Sequence, residues 1–184
     1  MNSIVRTAML FLGVFSTLIL AQSAFAEEPS EELERQVKSA YIFKFGNYVK
    51  WPEKAFADVK SPIVIGIVED ELIVEELSKI ALRHTAANRQ VVIKHLNAKD
   101  INEDVHILYI ANNVKKFLTD YRSAHPQSPT LYISDTVDGI AMGSAINFVR
   151  DNDRLRFDVS LPATEHSNIK LDASLLTVAR QVIK

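Results

Sequence analysis

No cysteine occurs among the 184 residues, so no disulfide can staple the fold and its core must hold it alone. Positive charge is not in excess either: 21 Lys and Arg against 23 Asp and Glu leave a formal charge of -2. The basic residues are scattered, without the electrostatic footprint of a protein that grips a phosphate backbone, which argues against nucleic acid as a partner. Repeats, low-complexity tracts and interdomain linkers are also missing. What remains, 47% hydrophobic and 24% charged residues, is the composition of one ordinary globular domain.

Catalytic signatures are lacking as well. The five histidines, His84, His95, His106, His125 and His166, show neither H-x-x-x-H nor H-E-x-x-H spacing, so no metal site is indicated. His106 opens the apolar run VHILYI and is expected to be partly buried and hydrogen-bonded. Gly139 and Gly143 fall in the loop DTVDGIAMGS without the frame of a phosphate-binding loop; a turn needing positive φ accounts for them. The acidic run DND at 151–153 lacks the glycine and later glutamate of a calcium loop. Ser160 and Ser174 stand outside any G-x-S-x-G elbow. No enzyme activity, metal or cofactor is predicted.

The N-terminus does carry a recognisable pattern. Arg6 precedes the thirteen-residue run AMLFLGVFSTLIL, and a polar break leads to Ala24, Phe25 and Ala26. As a helix this run reaches roughly 20 Å, short of a hydrocarbon core of about 30 Å, and the A-x-A ending is a cleavage pattern. Residues 1–26 are therefore read as a signal peptide and 27–184 as a single exported domain, not inserted in the membrane after cleavage. A chain of that length buries roughly 70% of its unfolded surface, enough for a core without staples.

Hydrophobic periodicity then orders the elements. A helix is predicted from about Ser30 to Lys50, stopped by Pro52 after Trp51. SPIVIGIVED reads as a strand buried on both faces, followed by a helix capped by Asp70 with Ile73, Leu77 and Ile80 on one face. QVVIKH and VHILYI are two more strands. A helix capped at Asn112 or Asn113 presents Val114, Phe117, Leu118 and Tyr121, and TLYIS follows as a strand. AINFVR and LRFDVSL form an antiparallel hairpin, and LDASLLTVARQVIK a final helix capped by Asp172, with Leu175, Val178, Ala179 and Val182 inward. This order predicts an α/β three-layer sandwich: a mixed, mostly parallel sheet flanked by helices, with a C-terminal hairpin and last helix.

The stretch AYIFKFGNYVKWP, residues 40–52, holds an unusual density of rings. On a helical wheel Val37, Ala40, Tyr41, Ile42, Phe45, Tyr48 and Val49 share the core face. Phe43 falls on the opposite side among Gln36, Ser39, Asn47 and Lys50. Either it contacts a partner or a loop or terminal segment folds over it. Trp51 reads as a plug at the bottom of the sheet or as part of the same contact.

This stretch resembles the N-terminal signature of the YfiR family of exported regulators. The similarity continues in order through IVIGIVEDE, VHILYI, TLYISD, INFV, LRFDVSLPAT and LDASLLTVARQV. Three departures stand out: Ser144 follows Gly143 where the family often has a second glycine, Ser160 stands where asparagine is common, and the cysteines of some members are absent, which rules out redox control through a disulfide. The resemblance implies a non-catalytic negative regulator in the periplasm. Its target would be the periplasmic sensor part of an inner-membrane diguanylate cyclase, through which it would control cyclic di-GMP and biofilm; homodimers are compatible with the family. Phe43, Asn47, Lys50 and Trp51 are the candidate contact residues. The alternative is a small-molecule-binding module with a pocket at the sheet's carboxyl edge around Asp138, Gly139 and Gly143.

Overall fold

A computed structural model describes residues 29–97, 99–100, 102–111, 114–152 and 154–184. The predicted signal peptide, the caps at Asn112 and Asn113 and the turn residue Asp153 lie outside these residues. Residues 33–184 form one compact unit; of the other, residues 1–32, only the stretch from Pro29 onward is described.

The chain runs through α1 (Pro29–Phe45), β1 (Val49–Lys50), a 3-10 turn (Glu53–Ala55), β2 (Ile63–Val68), α2 (Glu71–Ala81), β3 (Val91–Leu96), β4 (Ile107–Ile110) and α3 (Val114–Ala124). It continues with β5 (Leu131–Ser134), β6 (Ile146–Asp151), β7 (Arg154–Ser160), α4 (Leu161–His166), β8 (Lys170–Leu171), α5 (Ala173–Val178) and β9 (Gln181–Ile183). Among the described residues seven strands make the main sheet in the order β3-β2-β4-β5-β6-β7-β9, and β1 and β8 make a separate ribbon. From β3 to β6 all neighbours are parallel. β7 returns antiparallel to β6, and β9 lies parallel to β7.

Side chains alternate across a strand, and here both faces are apolar. Ile107 and Tyr109 join the cluster that contains Ile42, Phe45, Ile73 and Leu77 from α1 and α2. Leu108 and Ile110 join Phe117, Leu118 and Tyr121 from α3. The sheet is thus the middle of three layers, as the order of elements predicts. Asp70 caps α2 by accepting from the Ile73 amide at 3.1 Å. Ser160 caps α4 by accepting from Ala163 at 3.3 Å.

Two predicted helices are shorter than their sequence patterns. α1 stops at Phe45 instead of Lys50. Gly46, Asn47 and Tyr48 turn back onto the carbonyls of Phe43, Lys44 and Phe45, and Val49 and Lys50 pair with Leu171 and Lys170. The buried face of α1 is also rotated from the predicted one: Val37 is 36% exposed whereas Ser39 is fully buried. Ser39, Ile42, Phe43 and Gly46 follow the i, i+3, i+4, i+7 pattern of a packed face, and the small residues among them are invisible to a wheel scored on apolar side chains. At the other end α5 stops at Val178, Ala179 is extended, and Gln181–Ile183 becomes an edge strand beside β7. The Arg180 amide donates to Phe157 at 2.9 Å. Its guanidinium is a fork on the buried Asp158, with Nε to Oδ1 at 2.8 Å, an anchor that a continued helix would forfeit.

Candidate protein-interaction surface

The four predicted contact residues sit where α1 ends. Phe43 is not an exposed ring: only 5% of it is accessible, and it meets the His84 ring edge-on at 6.4 Å. Of the two readings of this side chain, a covering loop is what the structure contains. That loop, His84 to Arg89, is a tight turn closed by two backbone bonds between Ala86 and Arg89, at 3.0 and 2.8 Å. Both central residues, Ala87 at φ 48° and Asn88 at φ 60°, are left-handed, the geometry of a hairpin turn that glycine or asparagine adopts most readily. Two residues of α1's end hold it. The Asn47 Oδ1 accepts from the Ala87 amide at 2.9 Å, and Gly46 leaves room for Ala86, whose Cβ lies 3.1 Å from where a Gly46 Cβ would be.

Asn47 and Lys50 are exposed. Lys50 reaches Asp172 at 3.3 Å. The Asp172 carboxyl is held down to a pKa of about 2 by the Ser174 hydroxyl, the Ser174 amide and then the Lys50 ammonium. Trp51 is half-buried and meets Phe56 and His106 edge-on at 5.8 and 6.0 Å. Its Nε1 is buried without a hydrogen-bond partner among the described residues. The position is at the amino end of β4, next to His106.

His106 organises this end of the sheet. Its Nδ1 accepts from the Val64 amide at 3.1 Å, so Nε2 carries the proton and donates to the Ala55 carbonyl at 3.0 Å. The ring stacks on Phe56 at 4.5 Å and 12°. Burial is the main cause that pushes its pKa below the ordinary imidazole value, with the Ala55 carbonyl acting the other way. On the far side of Phe56 the Arg89 guanidinium lies 3.8 Å from the ring centroid, a cation–π contact, while its Nη1 donates to the carbonyls of Asp58, Val59 and Ser61. Sequence reading missed Phe56 and Arg89, because no motif spacing joins them to Trp51.

Two concavities flank the Asn47–Ala87 hydrogen bond. One, about 520 Å³, is lined by Trp51, Phe56, Arg89 and Val59 among others, and Val59 is 85% exposed. The other, about 600 Å³, lies between the ends of α1 and α2.

The residues predicted for a ligand pocket are elsewhere. Asp138 is exposed in the turn after β5. Gly139 packs so closely that a Cβ there would stand 2.1 Å from both the Ser134 Oγ and the Asn147 Oδ1. Gly143 has φ +101°, and a Cβ would meet the Arg122 guanidinium at 2.3 Å. None of the cavities described above is lined by these three. Close packing and a left-handed backbone account for both glycines. Among the described residues no group of three or more His, Asp or Glu is placed to hold a metal ion, and no helix is long and apolar enough to cross a membrane.

A family model described as YfiR/HmsC-like matches residues 35–180. No curated protein matches the chain. Among solved structures, the chain is similar to a conserved domain protein from Vibrio cholerae O1 biovar El Tor, with TM-score 0.55 and 11% identity over 80% of this chain and 60% of that one. It is also similar to an ABC domain in complex with L-Trp from Streptococcus pneumoniae, with TM-score 0.54 and 12% identity over 82% of this chain and 60% of that one. The chain thus spans less than two thirds of the length of either. At these identities the likeness is one of fold.

Proposed function

The chain belongs to the YfiR/HmsC-like family, and from that premise we propose that it is a periplasmic negative regulator without catalysis of its own. In this reading it binds the periplasmic sensor part of an inner-membrane diguanylate cyclase and favours the inactive conformation, lowering cyclic di-GMP and biofilm. The match over residues 35–180 carries the reading. Control of this kind requires only that the regulator bind one sensor conformation more tightly than the other. A hundredfold preference corresponds to about 2.7 kcal/mol, within reach of a few buried contacts.

In this proposal the contact is made at the groove beside Trp51. Trp51, Phe56 and the Arg89 guanidinium, which line it, are residue types enriched at interface centres; Asn47 holds the lining residue Ala87, Lys50 directly precedes Trp51, and both are exposed. The test is a pull-down of the cyclase's periplasmic segment by the mature chain and by the double variant Asn47→Arg, Lys50→Glu, with cyclic di-GMP measured in cells. Retention by the wild type, loss in a folded variant and a rise in cyclic di-GMP support the reading. A folded variant that binds and represses as well as the wild type removes this surface, and no retention of the cyclase by the wild type removes the partner.

A further inference from the structure

We infer that the cleft between the ends of α1 and α2 binds small amphipathic anions, molecules with one acidic head on an apolar body. Its floor is apolar: Ala40 and Phe43 come from α1 and Ile80 from α2. At about 600 Å³ it falls in the size range of small-molecule sites, in which a mostly apolar lining is joined by a few polar groups that fix orientation. In the groove at Trp51, by contrast, the Arg89 guanidinium is fixed in place by the Nη1 bonds to three carbonyls and by its stack on Phe56.

The rim of the cleft decides the sign of the ligand. Lys44, Lys79 and Arg83 border it, together with His84. Lys79 is neutralised by Glu76 at 2.6 Å, a hydrogen bond that raises the lysine pKa. Neither the Lys44 ammonium nor the Arg83 guanidinium has an ion-pair partner among the described residues. Two uncompensated cations beside an apolar floor, on a chain whose net charge is -2, focus a local positive potential that the whole molecule does not have. A carboxylate or sulfonate between them gains charge-assisted hydrogen bonds, while its apolar body covers Ile80 and the edge of Phe43. A neutral ligand leaves the cations unused, and a cationic one is repelled.

Occupancy would also be felt by the neighbouring surface. The cleft wall includes Asn47, whose side chain holds the Ala87 amide, and Ala87 lines the groove on the other side. The inference does not depend on the identity of the protein partner.

The probe is decanoate, titrated into the mature chain by calorimetry and followed by amide chemical shifts, with decyltrimethylammonium as the charge-reversed control. Decanoate is expected to bind one site, to shift the amides of Phe43, Ile80 and His84, and to bind at least about tenfold more tightly than the cation. The double variant Lys44→Glu, Arg83→Glu changes only exposed side chains and is expected to weaken decanoate by about tenfold or more without loss of fold. The inference is overturned by any of four results: no saturable binding, equal binding of the two detergents, unchanged affinity in the folded double variant, or shifts confined to another part of the chain. Equally, if decanoate is inert while the cyclase's periplasmic segment shifts these same amides, the cleft belongs to a protein interface and the inference fails.

Discussion

His106 is the residue whose replacement best tests the physical account of the aromatic end. In His106→Phe the stack on Phe56 can persist, but both ring hydrogen bonds go. The Val64 amide, donated to Nδ1 at 3.1 Å, is then left at the start of a central strand without an acceptor, which costs about 1–3 kcal/mol. Loss of the Nε2 bond to Ala55, on a less enclosed loop, adds about 0.5–1.5 kcal/mol. The sum, about 1.5–4.5 kcal/mol, corresponds to a fall in Tm of about 3–18 °C for a domain of this size. Calorimetry at pH 8 measures it. The pH dependence supplies a second, independent readout. The folded-state pKa of His106 lies below the ordinary 6.5, so the unfolded chain binds more protons as pH drops. The imidazole's contribution is therefore complete above the unfolded value and is lost as pH falls through the folded one. Wild type should lose stability on acidification by more than His106→Phe does. A Tm within about 1 °C of wild type at pH 8, or identical pH profiles, would refute the assigned tautomer and its two bonds.

Three further outcomes follow from the packing. Gly66→Ala in β2 places a Cβ 2.7 Å from Leu96 and 3.0 Å from Val105 and should destabilise by about 1–3 kcal/mol through overpacking, read from the urea midpoint; no change would mean that the α3 side of the sheet is loosely packed. Tyr121→Phe removes a hydroxyl that donates to the Glu103 carbonyl at 2.6 Å and should cost about 0.5–1.5 kcal/mol at unchanged m-value. The Asp172 carboxyl, observed by carbon NMR, should titrate with a midpoint near pH 2, as its Ser174 and Lys50 partners dictate. A midpoint at the ordinary aspartate value would mean that the cap and ion pair do not form.

The parallel sheet was legible because each strand is a short apolar run and each crossover helix begins or repeats in a readable way, as Asp70, Ile73 and Leu77 do. The hairpin was legible from alternation on either side of a polar turn. What escaped were contacts decided by residues distant in sequence. The pairing of Val49 and Lys50 with β8 has no local signal, and helical propensity up to Trp51 points the other way. β9 escaped for a related reason: Gln181–Ile183 is stabilised by β7 and by the fork of Arg180 on Asp158, neither visible from LDASLLTVARQVIK. At the interaction surface, the sequence singled out Phe43 as misplaced and offered a covering loop as one explanation. It could not say that the cover is the turn at His84–Arg89, because Asn47 and Ala87 are 40 residues apart. The cationic rim was equally hidden, since Lys44 and Arg83 meet only after two helices dock.

The ribbon of β1 and β8 has a consequence for assembly. It joins the exit of the first helix to a segment near the far end of the described chain, so the most remote pieces must find each other before α1's departure is fixed. Closing contacts so far apart in sequence carries a loop-entropy cost and slows folding. A fragment emerging from its amino end therefore leaves Val49 and Lys50 without their strand partners until residues 170–171 arrive.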